Sequence, residues 1–315
     1  MAEPNWCIRG VHVHSAVATL LARASTPAYM WPAARTANLA TTARAPHDCA
    51  MASSTPRRGL GINAGLAPGL ARDLAARCQE LGYHSLWSND EPGASGLETL
   101  AHFAAAAPRL ELGVGVLPLD RHRPAEIVAE IDRLGLDPAK LWIGIGSGPL
   151  RPQLDVVRRS VDGLRALLPE QTRIVVAAMR PRLCRLGGAI ADAVLLNWML
   201  PDQADQSRRW VHEGAAEVGR SAPIVASYVR VAVGAGSEER LREVEGFYRT
   251  VNEGHRRHFH AMDVPLGSVG IAARARPDVI EGLAPYQAAL DLPIVRVLAA
   301  HHAPALADVA EAASP

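Results

Sequence analysis

From Gly59 onward, the chain alternates short, continuously apolar runs with longer stretches in which apolar residues return every three or four positions. The clearest case is 112–148, LGVGVLPLDRHRPAEIVAEIDRLGLDPAKLWIGIGSG. Residues 112–117 are apolar on both faces, which suits a strand buried in a parallel sheet. A polar loop ending at Pro124 follows, then a helix with Ile127, Val128, Ile131 and Leu134 on one face. The next strand, 141–145, runs into Gly146-Ser147-Gly148, where backbone N–H groups can approach an anion closely. Further strands are predicted at 60–64, 85–89, 173–178, 193–197, 224–233 and 293–299, and the first strand of the clear unit extends back to 110. Amphipathic helices lie between them. Leu70, Leu74, Ala75 and Cys78 mark one, Leu97, Leu100, Ala101 and Ala104 another, and Val156, Val161, Leu164 and Leu168 a third. Segments 183–190, 202–218 and 237–260 supply the rest. Eight strands with crossover helices over roughly 240 residues have the size and period of an α/β protein with a (β/α)8 TIM barrel. A doubly wound open sheet is the main alternative.

Residues 1–56 break the pattern. They are rich in Ala, Thr, Pro and Arg, with Glu3 and Asp48 as their only acids, and hold no periodicity. They read as a disordered N-terminal extension, as a start placed too early with Met51 as the initiator, or as a transit-type segment. The barrel domain is expected over 57–315. Across all 315 residues the hydrophobic content is 49%, enough for a large core, and the net charge of +1 gives no footing for nucleic-acid or membrane-surface binding. No apolar run approaches the ~20 residues that span a bilayer. Cys7, Cys49, Cys78 and Cys184 lack metal-ligand spacing and read as small buried hydrophobes of a cytoplasmic protein. Lys140 is the sole lysine, which weakens any Schiff-base lyase reading of the barrel.

With these elements in place, four stretches carry a resemblance. They are ARCQELGYHSLWSNDEP (76–92), LGVGVLPLDRHRP (112–124), LWIGIGSG (141–148) and IVVAAMRPRLCRLGGAIADAVLLN (174–197). In this order and spacing, over about 59–300, the chain resembles the luciferase-like monooxygenase superfamily, most closely its deazaflavin branch. The resemblance implies an oxidoreductase that moves a hydride between non-covalently bound coenzyme F420 and a small-molecule substrate. Its alternatives are an FMN-dependent monooxygenase served by a separate flavin reductase, and a non-catalytic luciferase-like subunit that keeps the barrel. A homodimer is implied as well.

Residue by residue, Asp90 resembles an acid that contacts the ring system or its side chain. Gly115-Val116 resembles the site of a non-proline cis peptide backing the ring. Gly146, Ser147 and Gly148 lie on the next rim loop. Ala177, Ala178, Met179 and Arg180 resemble the loop that cradles the cofactor phosphate, with the helix start at Pro181-Arg182 adding partial positive charge. Gly187-Gly188 would let that helix pack close, and Asn197 resembles a position touching the phosphate tail. All fall at predicted strand C-termini, where a (β/α)8 barrel keeps its active site.

The chain also departs from the pattern. Glu91 stands where deazaflavin dehydrogenases of this kind often carry a catalytic His, so its carboxyl is the candidate acid or base. Pro149-Leu150-Arg151-Pro152 replaces the family's Glu and Asn after Gly148. Arg121, His122 and Arg123 on the loop after the third strand are candidates for an anionic substrate or an acidic cofactor tail. Arg230 and Arg296 sit inside apolar strands and need partners: a bound phosphate or carboxylate at the barrel mouth, or a structural ion pair. Arg121 and Arg296 are the substrate candidates. The GHRRHFH run (His255, His258, His260) lacks companion ligands, so no metal is expected. His301-His302 follows the last strand on the rim side.

Overall fold

The computed structural model describes residues 57–299 and 303–315; the N-terminal segment 1–56 and His301-His302 lie outside the described residues. Among the described residues nine strands are present: β1 (Gly59–Ile62), β2 (Ser85–Ser88), β3 (Glu111–Pro118), β4 (Leu141–Gly146), β5 (Arg173–Ala177), β6 (Ala193–Asn197), β7 (Ile224–Val233), β8 (Ile271–Ala273) and β9 (Leu292–Val297). Strands β1 to β7 pair in sequence order, all parallel; β7 pairs with β9 and β9 with β1, closing an eight-stranded barrel. This is the (β/α)8 architecture, and the open-sheet alternative is set aside by the β9–β1 pairing. The short β8 stands outside the ring. It extends the far end of the ten-residue β7, pairing Ile271–Ala273 with Val231–Val233.

The helices are α1 (Pro68–Glu80), α2 (Gly96–Ala106), α3 (Pro124–Arg133), α4 (Gln153–Leu167), α5 (Pro181–Ile190), α6 (Pro201–Glu217), α7 (Ser237–Val251), α8 (Glu253–Met262), α9 (Arg276–Ala289) and α10 (Ala303–Ala312), with a 3-10 turn at Pro138–Lys140. Proline opens several of them, where its missing N–H costs nothing and its φ already suits a helix. The predicted 237–260 helix is two, because Asn252 leaves helical geometry and its Oδ1 accepts from His255 N at 3.0 Å, capping α8. No helix among the described residues is long and apolar enough to cross a membrane.

Apolar side chains on both faces of the strands build two cores. Outward residues such as Leu60, Leu112, Ile143, Val176, Val194 and Val295 meet the helices. Inward residues Trp87, Trp142, Val175, Leu195, Tyr228 and Ile294 fill the barrel. The rings fit because glycine faces them. A Cβ on Gly113 would sit 2.3 Å from the Trp87 indole, and one on Gly61 2.9 Å from Tyr228 Cε1. The end at which the strands begin is sealed by polar contacts: Trp142 Nε1 donates to Glu111 Oε2 at 2.7 Å, and Arg173 pairs with the same carboxylate at 3.0 Å while lying over the Trp142 ring. Cys78 and Cys184 are buried in α1 and α5 with free thiols; burial pushes Cys184 up to about 12 and Cys78 higher still, so both pack as apolar groups.

Candidate active site

Because all barrel strands are parallel, their C-terminal ends meet at one rim. Asn89, Asp90 and Glu91 follow β2. Asp90 is nearly buried, its side chain 6% exposed. Its Oδ2 accepts from Arg121 Nη2 at 2.8 Å and lies 2.8 Å from His122 Nε2, and its Oδ1 accepts from Gly96 N at 3.2 Å. Asp90 therefore faces the β3 loop and the start of α2, and Arg121 is drawn onto it. Around this cluster opens a cavity of about 430 Å3 lined by Asp90, Glu91, Leu97, Arg121, His122 and Glu130. Glu91 Oε1 accepts from Asn89 Nδ2 at 2.7 Å, and Asn89 Oδ1 accepts from Arg296 Nη2 at 2.7 Å, so Glu91 is two links from a buried guanidinium.

β3 carries a bulge here. Val114 pairs with Ile143 and Leu117 with Ile145, leaving one extra residue on β3, and the Gly115–Val116 peptide within it is cis. Tyr228 Oη donates to Gly115 O at 3.0 Å. Burial raises Tyr228 to about 12, so the hydroxyl keeps its proton and the donation persists. A Cβ at Gly115 would come within 2.5 Å of that hydroxyl. On the neighbouring loop Gly148 has a φ of +54°, and a side chain there would strike Asp120 Oδ1 at 2.3 Å. Gln153 Nε2 donates to Ser147 Oγ at 2.7 Å, and Leu119 N donates to Gly146 O at 2.9 Å, locking the β3 and β4 loops together.

After β5, Ala178 N donates to Leu195 O at 3.0 Å, and Met179 and Arg180 lead into α5. Its first turn holds no acid and no side-chain cap, while Arg180 and Arg182 are exposed. α5 reaches this seat through its two glycines. A Cβ on Gly187 would lie 2.7 Å from Val194 Cγ2, and one on Gly188 only 2.0 Å from Val211 O of α6.

The remaining rim is built from β6, β7 and β9. Asn197 Oδ1 accepts from Arg230 Nη1, and Arg230 lies 3.8 Å above the Trp198 ring, with Tyr248 at 5.5 Å and Tyr228 at 5.9 Å. Arg296 lies 5.4 Å from the Tyr228 centroid and donates to Ile62 O, Asn63 Oδ1 and Asn89 Oδ1. Burial lowers the Arg230 pKa, and Arg296 lowers it further. Of the three histidines in α8, His258 Nε2 donates to Trp198 O at 2.7 Å, His255 Nδ1 donates to Asn252 Oδ1 at 3.1 Å, and His260 is exposed. They point to different partners. No group of metal-ligating residues occurs among the described residues.

The structure thus gathers Asn89, Glu91, Gly115, Val116, Asn197, Arg230 and Arg296 around one mouth. It sets Asp90, Arg121 and His122 together beside it. The polar residues Asn63 and Asn89 and the floor residue Tyr228 were not singled out from sequence. An amide next to a strand end carries no pattern of its own, whereas an Arg inside an apolar strand does.

A closed parallel barrel with a polar rim at the C-terminal ends of its strands defines the class. Within it, the chain belongs to the luciferase-like monooxygenase family, whose model matches residues 51–156 and 155–301. No curated protein sequence matches it. Among solved structures it is similar to an F420-dependent secondary alcohol dehydrogenase in complex with an F420-acetone adduct, at 14% identity and TM-score 0.66 over 83% of this chain and 100% of that one. It is also similar to a coenzyme F420-dependent tetrahydromethanopterin reductase from Methanopyrus kandleri, at 15% identity and TM-score 0.63 over 83% of this chain and 98% of that one. A third is the oxygenating constituent of 3,6-diketocamphane monooxygenase from Pseudomonas putida in complex with FMN, at 14% identity and TM-score 0.58 over 82% of this chain and 97% of that one. At such identities these likenesses concern the fold.

Proposed function

We propose that the protein is an F420-dependent oxidoreductase that transfers a hydride to or from a small organic substrate at the barrel mouth. The observation that carries this reading is the convergence, on one rim, of the β3 bulge, the glycine turn after β4 and the uncapped, acid-free start of α5. These residues fit a ring cofactor with a phosphate. Gly115 and Val116 form a wall at the mouth whose carbonyl is held by Tyr228, so it does not drift when a ring rests against it. Gly146, Ser147 and Gly148 bring the next loop close. Ala177, Ala178, Met179 and Arg180 would offer backbone donors to the phosphate, supported by the positive end of α5. Asn197 holds Arg230 at the inner edge.

When bound, the deazaflavin supplies a ring that carries the hydride. The protein positions that ring, excludes water from one face and manages protons. Glu91 is the proton-handling group, kept at the rim by Asn89. Asp90 fixes Arg121 and His122, and so the β3 loop. A homodimer and a cytoplasmic location are part of this reading.

Fluorescence titration of the purified protein with F420 and with FMN tests it. Saturable binding of F420, and turnover of reduced F420 with an organic acceptor, is expected. Binding of FMN alone would replace the reading with a reductase-served monooxygenase. Binding of neither by a folded protein would leave the non-catalytic barrel.

A further inference from the structure

Among the described residues, the buried guanidinium groups at the mouth have no counter-charge. Arg230 is 4% exposed and Arg296 6%. Their partners are neutral: an asparagine oxygen, the Tyr248 hydroxyl and aromatic faces for Arg230, and a backbone carbonyl and two asparagine oxygens for Arg296. Among the described residues no carboxylate lies within ion-pair distance of either. Burying an unpaired cation is costly, and placing a second near it adds repulsion. A barrel built only for stability would set an acid or an apolar residue here. This one does so at its closed end, where Glu111 meets Arg173.

The two cations share a geometry. Each stands within 6 Å of the centroid of the same Tyr228 ring. Neutral acceptors hold each guanidinium fork in place without supplying a negative charge. Beside Arg230 are two further polar atoms that are buried without a partner, Trp198 Nε1 and His255 Nε2. Trp198 itself holds a φ of +55°, in the left-handed region. The indole N–H is a donor. The His255 Nε2 is an acceptor while Nδ1 donates to Asn252.

We propose that the mouth takes a substrate bearing an acid group, a carboxylate, sulfonate or phosphate, and that Arg230 and Arg296 hold this oxyanion from two sides. The substrate class is therefore a small organic acid. This rests on the oxidoreductase reading above for what happens to the substrate, but not for the binding itself. Guanidinium groups match oxyanions through paired N–H donors, and Asn63, Asn89 and Asn197 aim the forks without neutralising them. The lowered Arg230 pKa is relieved when the anion arrives. The same chemistry could be supplied by the acidic tail of the cofactor, so the test separates the sources.

Trp198 lies directly under Arg230 and serves as reporter. The wild-type protein without cofactor is titrated with sodium sulfate and with sodium methylphosphonate against sodium chloride at constant ionic strength. A saturable change in tryptophan emission with the oxyanions only, absent in Trp198→Phe, is expected. Arg230→Gln and Arg296→Gln are each expected to weaken oxyanion binding about tenfold or more. F420 affinity in Arg296→Gln, whose partners Ile62, Asn63 and Asn89 lie outside the proposed cofactor cradle, is expected to match wild type. No saturable response in the wild type overturns the proposal. An equal loss of F420 affinity in Arg296→Gln overturns it too, by giving the arginines to the cofactor tail. If either variant fails to fold, sulfate titration of the F420-loaded wild type decides: retained binding supports the proposal, and competition by F420 overturns it. Failure of F420 to bind at all sinks the F420 reading, and leaves the sulfate titration to judge this one separately.

Discussion

At the scale of single residues, the mouth is governed by what glycine leaves out. Gly115 is pressed between Tyr228 Oη at 2.5 Å and Leu195 Cδ2 at 2.6 Å from the position a Cβ would take. Gly115→Ala must move the tyrosine or the bulge, and overpacking of this kind costs about 1–3 kcal/mol. Urea denaturation should show the loss, and F420 affinity should fall with it. If affinity is unchanged, the bulge is not the wall against which the ring lies. His255 makes a second residue-level prediction. Burial, then Arg230 and His258, push it down to about 4 from 6.5. Between these values the unfolded chain binds a proton that the folded chain refuses, so stability is full above pH 6.5 and is lost as pH falls toward 4. The loss is on the order of 2 kcal/mol after allowance for partial solvent access. The groups facing His255 are Tyr248 of α7, Asn252 ahead of α8, His258 of α8 and Arg230 of β7. His255→Gln should flatten the melting-temperature profile on the acid side, leaving the smaller slopes of His84 and His258, which burial also lowers. An unchanged profile would mean that His255 is not buried as an uncharged ring.

At the scale of elements, α5 is placed by α6. The two helices meet through Gly188 against Val211 O and Gly214 against Arg185 O, each with only 2.0 Å available to a Cβ. Backbone cannot swing aside as a side chain does. Gly188→Ala should therefore push α5 off its seat, lowering stability by about 1–3 kcal/mol and weakening F420 binding if, as proposed, the loop opening that helix holds the cofactor phosphate. The contrast is Gly69→Ala in α1, where nothing lies within 4 Å and alanine should be neutral or gain about 0.5–1 kcal/mol. Equal effects of the two substitutions would refute the packing argument. The same elements show how much sequence revealed. The barrel strands were legible because each is apolar on both faces, and β7 lies on its expected residues, 224–233. β8 was not, because three residues carry no alternation to read. The break between α7 and α8 was hidden because Asn252 interrupts no apolar stripe. Candidate site residues were found where type and position conflict, as with Arg230 and Arg296. The asparagines that aim them became visible only once strands distant in sequence were adjacent. The pairing of Asp90 with Arg121 and His122, across some thirty positions, is of the same kind.

At the scale of the whole molecule, the two ends of the barrel do different work. The rim where strands end is polar, poorly compensated and open to a cavity. The end where strands begin is sealed, and the C-terminal helix is clamped there. Arg58 Nη1 donates to Ala313 O at 2.7 Å and Ser314 O at 2.8 Å, Tyr83 Oη donates to Ala310 O at 2.7 Å, and Arg276 reaches Glu311 O at 2.6 Å. These donors come from the start of β1, the turn before β2 and the start of α9, so α10 ties the first and last thirds of the barrel together. Arg58 is 3% exposed, and its charge is spread over carbonyls at the end of α10. Arg58→Met keeps the apolar stem but strips those carbonyls of their donor, a change worth about 1.5–3 kcal/mol for hydrogen bonds to a charged group. The protein should unfold in one transition at lower urea, because the clamp joins parts that fold as a single barrel. F420 affinity and oxyanion binding should stay within about twofold of wild type, since the clamp and the mouth lie at opposite ends of the strands. A loss of F420 or oxyanion binding in a folded Arg58→Met protein would show that the ends are coupled. The mouth would then depend on strand register set from below, and not only on the loops that surround it.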